Sequence, residues 1–225
     1  MVWYYVKFDV RGALLLGVGS VMILLAINRG PAWGFLAART IFVAVLGVVA
    51  LMAFVRVEKR ASDPMLPLKW FGTRNVAFPV VSQALTNFAY MGGFMIVPQL
   101  LEVGLGFSTS HIGWLIIARP LVFSLVAPFS GRIAIRIGER NAGVIGAIAV
   151  MCSMLMLSQI DLGSSDLFIA VGLSLSGAGL GIASPALTAL LANSVEVADL
   201  GVASAVQQLL NQMGAVLVAV GAICN

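Results

Sequence analysis

LIIARPLVFSLVAPFSGRIAIRIGER (Leu115–Arg140) contains the two features that decide the fold. Its first part is a long apolar run with one arginine, Arg119, in the middle and Pro120 directly after it. Its last part is a short basic segment that contains two glycines. A helix that crosses a bilayer needs about 20 predominantly apolar residues, and the cytoplasmic loops of membrane proteins are rich in Lys and Arg. The stretch therefore predicts a membrane-spanning helix followed by a tight cytoplasmic loop at 131–141.

The composition of the whole chain points the same way. Of its 225 residues, 60% are hydrophobic and 10% are charged, whereas a soluble domain carries about 25% charged residues. The net charge of +4 comes from basic residues in short segments between apolar runs, which favours contact with an anionic membrane surface over nucleic acid. Cys152 and Cys224 are isolated in apolar surroundings, and we predict that both are small buried side chains.

We predict an all-α membrane protein with about seven transmembrane helices. The apolar runs exceed ordinary strand lengths and lack the period-two alternation of half-buried strands. Short segments with turn residues separate most of them. The predicted spans are 11–28, 38–57, 76–102, 110–130, 142–160, 166–192 and 200–224.

The distribution of Lys and Arg predicts the orientation of these helices. Seven spans place alternate loops on opposite sides of the membrane, and one set of loops contains only Arg29 and Arg39. The positive-inside rule assigns the richer set to the cytoplasm, so we predict a multi-pass protein of the plasma membrane with a cytoplasmic N-terminus. The richer set comprises Lys7, Arg11, Arg56, Lys59, Arg60, Lys69, Arg74, Arg132, Arg136 and Arg140.

Arg119 is the most unusual residue of the spans. A charge at the bilayer centre costs about 2.5–3.5 kcal/mol on insertion scales, and Arg119 lies too deep to reach the interface cheaply. We expect it to face other helices or a wet cavity. One interpretation is a structural arginine bonded to backbone carbonyls or amide side chains. The other is a substrate-pathway residue that binds an acidic group. Pro120 leaves one carbonyl of the preceding turn unpaired, which allows a local hinge.

Other polar residues are also candidates for the substrate pathway. Gln83, Asn87 and Tyr90 share one helix face by their spacing, while Gln208, Asn211 and Gln212 cluster on the last span. Amides of this kind either line a polar pathway or join helices by hydrogen bonds of about 0.6 kcal/mol each.

The sixth predicted span is dense in small residues, which allow helices to approach closely. Gly177 and Gly181 lie one turn apart, and Pro185 permits bending. These residues are predicted to form either a static packing surface or a moving helix contact. His111, the only histidine, stands at a predicted helix start, where a capping or interfacial role is expected.

The segment GRIAIRIGER resembles the motif A loop of the major facilitator superfamily, G-x-x-x-D-R-x-G-R-R/K. In that family the aspartate of the motif helps to lock a cytoplasmic gate, and the second half of such transporters often carries a degenerate copy. The present segment departs from the motif at Ile135 and Glu139. The matching positions are Gly131, Arg136, Gly138 and Arg140.

Further segments, in the same order along the chain, resemble the fourteen-helix drug:proton antiporters of that superfamily, the EmrB/QacA-like branch. They are FDVRGALLLGVGSVMILLAINRGPAWG, VEKRASDPMLPLKWFGTRN, VPQLLEVGLGFSTSHIGW and DLGVASAVQQLLNQMGAVL. The resemblance implies that the chain is a C-terminal half fragment that spans family helices seven to thirteen. Residues 1–57 would then hold two linker helices, residues 58–75 a cytoplasmic connector, and residues 76–225 an incomplete C-terminal bundle. The missing N-terminal half would be its partner.

The resemblance implies part of a secondary active transporter, with export of drugs or amphipathic compounds by alternating access. A proton gradient would drive this transport, without an organic or metal cofactor, and the substrate would be a small molecule. One alternative is a transporter of the same fold that moves an anionic metabolite, which Arg119 favours. Another is a membrane scaffold or assembly subunit that transports nothing. An enzyme is not expected, because the spans lack a nucleophile–base pair or a cluster of metal ligands.

Overall fold

The computed structural model describes residues 10–60 and 72–223, without the side chains in the last turns of the final helix. Within these ranges it is helical and contains no strand. The seven α-helices are α1 (Val10–Trp33), α2 (Ala38–Glu58), α3 (Arg74–Gln99), α4 (Thr109–Ile137), α5 (Glu139–Leu157), α6 (Asp166–Ala192) and α7 (Leu200–Ile223). A π-helical turn at Leu100–Gly104 extends α3, and a 3₁₀ turn at Val197–Asp199 precedes α7.

The predicted all-α membrane fold is confirmed. Six described helices, α1 to α6, are long and apolar enough to cross a bilayer. The predicted span at 200–224 coincides with α7 in position, but part of it lies outside the described side chains, so its membrane crossing stays a prediction. Most of the connector at 58–75, including Lys69, also lies outside the described residues, as do Lys7 and Cys224.

The chain forms two compact units that divide between Thr73 and Arg74. In the first unit, α1 and α2 form an antiparallel hairpin that turns at Gly34, where φ is +87°. The two helices approach closely at Gly19 and Gly47. A Cβ atom on Gly47 would lie 2.8 Å from the Ile23 side chain and 3.0 Å from its backbone nitrogen. The glycines at positions 19 and 47 therefore allow the short distance between α1 and α2.

In the second unit, α6 is the central helix. Helices α3, α4 and α5 all pack against it, and small residues line much of its surface. A Cβ atom on Gly146 of α5 would lie 2.5 Å from the carbonyl oxygen of Gly179 on α6. Larger apolar side chains fill the bundle near the start of α6, where Leu101, Leu115 and Leu173 belong to one buried cluster.

The end of α3 and the start of α4 follow the turn chemistry that the sequence predicts. The extension of α3 ends in a Schellman-like turn, with Gly106 at φ +68° and the amide of Phe107 bonded to the carbonyl of Leu101 at 3.0 Å. This arrangement satisfies carbonyls that a helix end leaves open. The hydroxyl of Ser108 accepts from the amide of His111 at 3.4 Å and caps α4.

The predicted cytoplasmic loop at 131–141 is wrong. Helix α4 continues to Ile137 and α5 begins at Glu139, so Gly138 alone connects them. Gly138 has φ +87° and ψ 143°, a combination that is nearly confined to glycine. Gly131 and Arg136 lie inside α4, because a single glycine costs a helix only about 1 kcal/mol relative to alanine and does not end it.

The predicted burial of Cys152 is also wrong, since this side chain is exposed on α5. The prediction rested on the apolar neighbours of Cys152 in the sequence. In a membrane helix an apolar context surrounds the lipid-facing side as well as the packed side. The same is true of α4, which exposes Ile117, Leu121 and Leu125.

Candidate functional site

Arg119 lies in the middle of α4 and is only 1% exposed. Its side chain turns toward α3, where it meets a single residue in two ways. The Nη2 atom donates a hydrogen bond to the backbone carbonyl oxygen of Tyr90, and the Cζ atom lies 3.7 Å from the centroid of the Tyr90 ring. This geometry combines a charge-assisted hydrogen bond with a cation–π contact.

Two glycines lie next to Arg119, Gly93 near its side chain and Gly177 against its backbone. A Cβ atom on Gly93 of α3 would lie 3.5 Å from Nη1 of Arg119 and 2.9 Å from Cε of Met154. A Cβ atom on Gly177 of α6 would overlap the backbone carbonyl oxygen of Arg119. The backbone of α4 therefore packs directly on α6, while its arginine side chain crosses to α3.

The contacts of Arg119 satisfy only one edge of the guanidinium. Among the described residues, neither Nε nor Nη1 has a hydrogen-bond partner. A desolvated cation–π contact contributes about 2 kcal/mol, and a hydrogen bond to a charged group about 1.5–3 kcal/mol. These contributions are comparable with the insertion cost of about 2.5–3.5 kcal/mol. Arg119 is therefore held in place while two of its nitrogen atoms, Nε and Nη1, have no acceptor among the described residues.

Gln83 and Asn87 link α3 to two other helices. The Nε2 atom of Gln83 donates to the hydroxyl of Ser184 on α6 at 3.1 Å, and Gln83 is 3% exposed. The Nδ2 atom of Asn87 donates to the backbone oxygen of Asn211 on α7 at 3.2 Å. Together with Tyr90, the predicted polar face of α3 thus contacts α4, α6 and α7.

On α7, the sequence interpretation missed the buried amide. Gln207 is 6% exposed, and its Nε2 atom donates to the hydroxyl of Thr188 on α6 at 3.3 Å. The predicted pathway residues Gln208 and Gln212 are exposed. The spacing of four residues between Gln207 and Asn211 was the signal that could have identified the packed face of α7.

Two acceptors in this region have no hydrogen-bond partner among the described residues. They are Oε1 of Gln83 and Oδ1 of Asn211. With the open donors of Arg119 they form a set of buried polar groups distributed over α3, α4 and α7. No group of three or more His, Cys, Asp or Glu that could hold a metal ion occurs among the described residues. The arrangement can hydrogen-bond a polar ligand or water, or hold the helices together.

Comparison with known proteins identifies the family of this bundle. A family model described as Major Facilitator Superfamily matches residues 79–223, well over half of the chain. The chain belongs to the Major Facilitator Superfamily. This result confirms the resemblance seen in the sequence. The matched region contains α4 to α7 and all of α3 except its first five residues, and it includes Arg119 and Tyr90.

Curated relatives match almost the whole chain. Multidrug resistance protein Stp of Mycobacterium tuberculosis (strain ATCC 25618 / H37Rv) is 28% identical over 211 residues, 94% of this chain and 39% of the relative. Multidrug transporter protein MdtP of Bacillus subtilis (strain 168) is 25% identical over 225 residues, 98% of this chain and 41% of the relative. The Tetracenomycin C resistance and export protein of Streptomyces glaucescens is 27% identical over 208 residues, 92% of this chain and 39% of the relative. The chain thus spans about two-fifths of the length of these relatives.

The segment that resembles the family's motif A contacts neighbouring helices through residues around Gly138. The carboxylate of Glu139 accepts from Nδ2 of Asn193, just after α6, at 2.7 Å. Arg140 lies over the ring of Phe78 on α3, with 5.0 Å between Cζ and the ring centroid. Arg136 is exposed on the last turn of α4. Glu139, a departure from the motif, thus joins α5 to the end of α6.

Of the predicted packing and hinge residues, Gly177 and Gly181 lie at the contact between α4 and α6. A Cβ atom on Gly181 would lie 3.2 Å from the carbonyl oxygen of Phe123, one turn beyond the contact at Gly177. Pro120 and Pro185 lie within α4 and α6. Each removes one backbone N–H from its helix. The small-residue surface of α6 is therefore in contact with α4, and whether this contact moves stays a prediction.

Proposed function

We propose that this chain is part of a secondary active transporter that exports drugs or other amphipathic small molecules. Membership of a family of membrane transporters, together with relatives named as multidrug resistance and export proteins, carries this proposal. The relatives are more than twice as long as the matched region. This length supports a partner for the chain: the other half of the same transporter, which would complete the transport path.

In this proposal the transporter works by alternating access, with two bundles that rock around a site near the middle of the bilayer. The polar groups of α3, α4 and α7 supply the kind of lining that such a site needs. The glycine contacts between α4 and α6 permit small changes in helix packing. A proton gradient drives export, and the titrating carboxylates belong to helices other than the described ones. The protein acts as a transporter and not as an enzyme.

In this proposal the Gly138 end of the bundle faces the cytoplasm. Arg74, Arg132, Arg136 and Arg140 are exposed at this end, and the positive-inside rule assigns such an excess to the cytoplasmic side. The N-terminus of the chain is then cytoplasmic, in the plasma membrane. Cysteine introduced at Arg136 should react with a membrane-impermeant maleimide only after cells are permeabilised. Reaction in intact cells would reverse the orientation.

The transport proposal is tested in everted membrane vesicles that contain the complete transporter to which this chain belongs. A lipophilic cationic dye should accumulate when a proton gradient is imposed, and a protonophore should abolish the accumulation. The isolated 225-residue chain in liposomes should give no flux above empty liposomes. Absence of gradient-driven flux for dyes and drugs of several classes would leave the scaffold interpretation.

A second candidate substrate class is anionic, because Nε and Nη1 of Arg119 have no partner among the described residues. An anionic substrate would need to reach a side chain that is 1% exposed, which requires α3 and α4 to separate. Parallel flux measurements with an anionic and a cationic dye decide between the two classes. Loss of only the anionic flux in Arg119→Met would favour this second candidate.

A further inference from the structure

A groove follows one side of α2 to the end of the helix. Its apolar part, a cleft of about 290 Å³, is lined by Val48, Leu51, Met52 and Val55. These residues follow the spacing of one helix face. Val48 and Met52 are about half exposed, at 47% and 58%.

The groove continues into a basic cleft at the C-terminal end of α2. This cleft, of about 390 Å³, is lined by Met52, Val55, Arg56, Lys59 and Arg60. Met52 and Val55 belong to both clefts, so the apolar wall leads directly to the basic residues. The volume lies within the range of small-molecule sites, about 300–1,000 Å³.

Among the described residues, no carboxylate forms an ion pair with the basic side chains of this cleft. Arg56, Lys59 and Arg60 are exposed. The nearby carboxylate of Glu58 points away from solvent, since that residue is 3% exposed. The three basic side chains therefore face the solvent, whereas the carboxylate of Glu58 faces the protein interior.

The backbone holds the basic residues in register at the helix end. The amide of Lys59 donates to the carbonyl of Val55 at 3.1 Å, and the amide of Arg60 donates to that of Val57 at 3.0 Å. These bonds continue the last turn beyond Glu58. Positions 56, 59 and 60 are therefore neighbours on the helix surface.

We propose that this groove binds an anionic phospholipid, with the phosphate between Arg56, Lys59 and Arg60 and an acyl chain along Val48, Met52 and Val55. Clusters of Lys and Arg at the end of a membrane helix attract anionic lipid headgroups. An orientation signal alone requires only basic residues in the loop. The apolar cleft that joins the basic one is an additional feature, and it fits a ligand with both a phosphate and a hydrocarbon chain.

This inference does not depend on transport, so its test uses the 225-residue chain itself. The chain in detergent is titrated with dioleoylphosphatidylglycerol, with dioleoylphosphatidylcholine as the zwitterionic comparison, and bound lipid is counted by native mass spectrometry. One saturable phosphatidylglycerol site should be seen. Removing two cations, in Lys59→Gln/Arg60→Gln, should weaken its binding by about 25-fold, at about fivefold for each basic residue.

The chain offers a matched control at the opposite end of the same helical hairpin. Arg29→Gln/Arg39→Gln removes the same charge and should leave the affinity unchanged, and Lys59→Arg/Arg60→Lys should retain binding. Equal affinity of Lys59→Gln/Arg60→Gln and the unsubstituted chain would overturn the proposal. An equal loss of affinity in the two double Gln variants would also overturn it, since binding would then follow the total charge of the chain. Competition by glycerol phosphate as strong as by the lipid would show a phosphate site without a lipid component, and would overturn it as well.

A measurement without substitutions covers the case in which the Lys59→Gln/Arg60→Gln variant does not fold. A photoactivatable phosphatidylglycerol with its reactive group in the acyl chain is added to the unsubstituted chain and crosslinked. Peptides that contain Val48–Arg60 should carry the label, and excess unlabelled phosphatidylglycerol should remove it. Labelling confined to peptides of the second unit would contradict the proposed site.

Discussion

The guanidinium of Arg119 on α4 stacks on the ring of Tyr90 on α3 at 3.7 Å from Cζ to the ring centroid, and it bonds to the backbone carbonyl of the same residue. One residue of α3 thus provides both contacts of the most deeply buried charge in the described bundle. The backbone-carbonyl bond is the kind of contact that a structural arginine makes. The open Nε and Nη1 atoms are what a ligand-binding arginine requires.

Substitutions at this pair should separate the two roles. Tyr90→Leu leaves the buried charge without its ring and should lower the free energy of unfolding by about 2 kcal/mol. Arg119→Met removes the charge and its unsatisfied donors together, so stability should be unchanged or higher. Thermal unfolding of the chain in detergent measures both, with Tyr90→Phe as a control that keeps the ring. A large loss of stability in Arg119→Met would show that the arginine is required for the fold.

The contact between α4 and α6 should tolerate no side chain at Gly177. A Cβ atom there overlaps the carbonyl oxygen of Arg119, and such overpacking costs about 1–3 kcal/mol. Gly113→Ala on α4 is the control, because a Cβ atom at Gly113 has no neighbour within 4 Å. That control should be neutral or stabilising by about 0.5–1 kcal/mol. Equal unfolding temperatures of Gly177→Ala and the unsubstituted chain would contradict the close helix contact.

Of the two glycines that match motif A, only Gly138 should be sensitive to substitution. Its φ of +87° and ψ of 143° would cost an alanine about 1–3 kcal/mol. Gly131 lies within α4 with no neighbour that a Cβ atom would meet, so Gly131→Ala should not destabilise the chain. Denaturation of both variants under the same detergent conditions makes the comparison. A larger loss of stability in Gly131→Ala than in Gly138→Ala would contradict the helical placement of Gly131 and support the predicted loop at 131–141.

The hydrogen-bonded contact between His111 and Asp166 should contribute little to stability. Its atoms Nε2 and Oδ2 are 2.7 Å apart, but the two side chains are 39% and 56% exposed. Exposed pairs contribute about 0.2–1 kcal/mol, and less at high salt. A double-mutant cycle with His111→Ala and Asp166→Ala should give a coupling energy in that range. A coupling above about 2 kcal/mol that persists at high salt would indicate a buried contact.

The amide contact between α3 and α6 should be weak as well. Gln83 donates to Ser184 at 3.1 Å, and double-mutant cycles of hydrogen bonds in membrane helices average about 0.6 kcal/mol. Gln83→Leu and Ser184→Ala should therefore couple by less than about 1.5 kcal/mol in unfolding experiments. Gln208→Leu is the control, because Gln208 is exposed on α7. A strong coupling would show that this contact holds the two helices together.

The sequence predicted the position of the described helices well, because the requirement for a long apolar run is local. The span predicted at 166–192 coincides with α6, and the span at 142–160 is displaced from α5 by only three residues. The end of α4 was missed because basic residues and one glycine resemble a loop in composition. Seven further residues continue the helix beyond the predicted end at 130.

Polar residues were found in the sequence, but their partners were not. The face that contains Gln83, Asn87 and Tyr90 was identified by spacing. On α7, however, Gln208 was named where the structure buries Gln207. Gly93 gave no signal of its own, although it lies next to the guanidinium of Arg119 and the side chain of Met154.

The sequence by itself therefore determined that this chain is a helical membrane protein, where six of its spans lie, and to which family it is similar. Apolar length, charge and motif order are properties of the linear chain. Only the tertiary structure decided that Arg119 meets Tyr90, that α4 packs on Gly177, and that Gly138 alone forms the turn. The physical reason is that helices in a bilayer are apolar on all sides. Their sequence periodicity therefore does not distinguish the face that packs against protein from the face that contacts lipid.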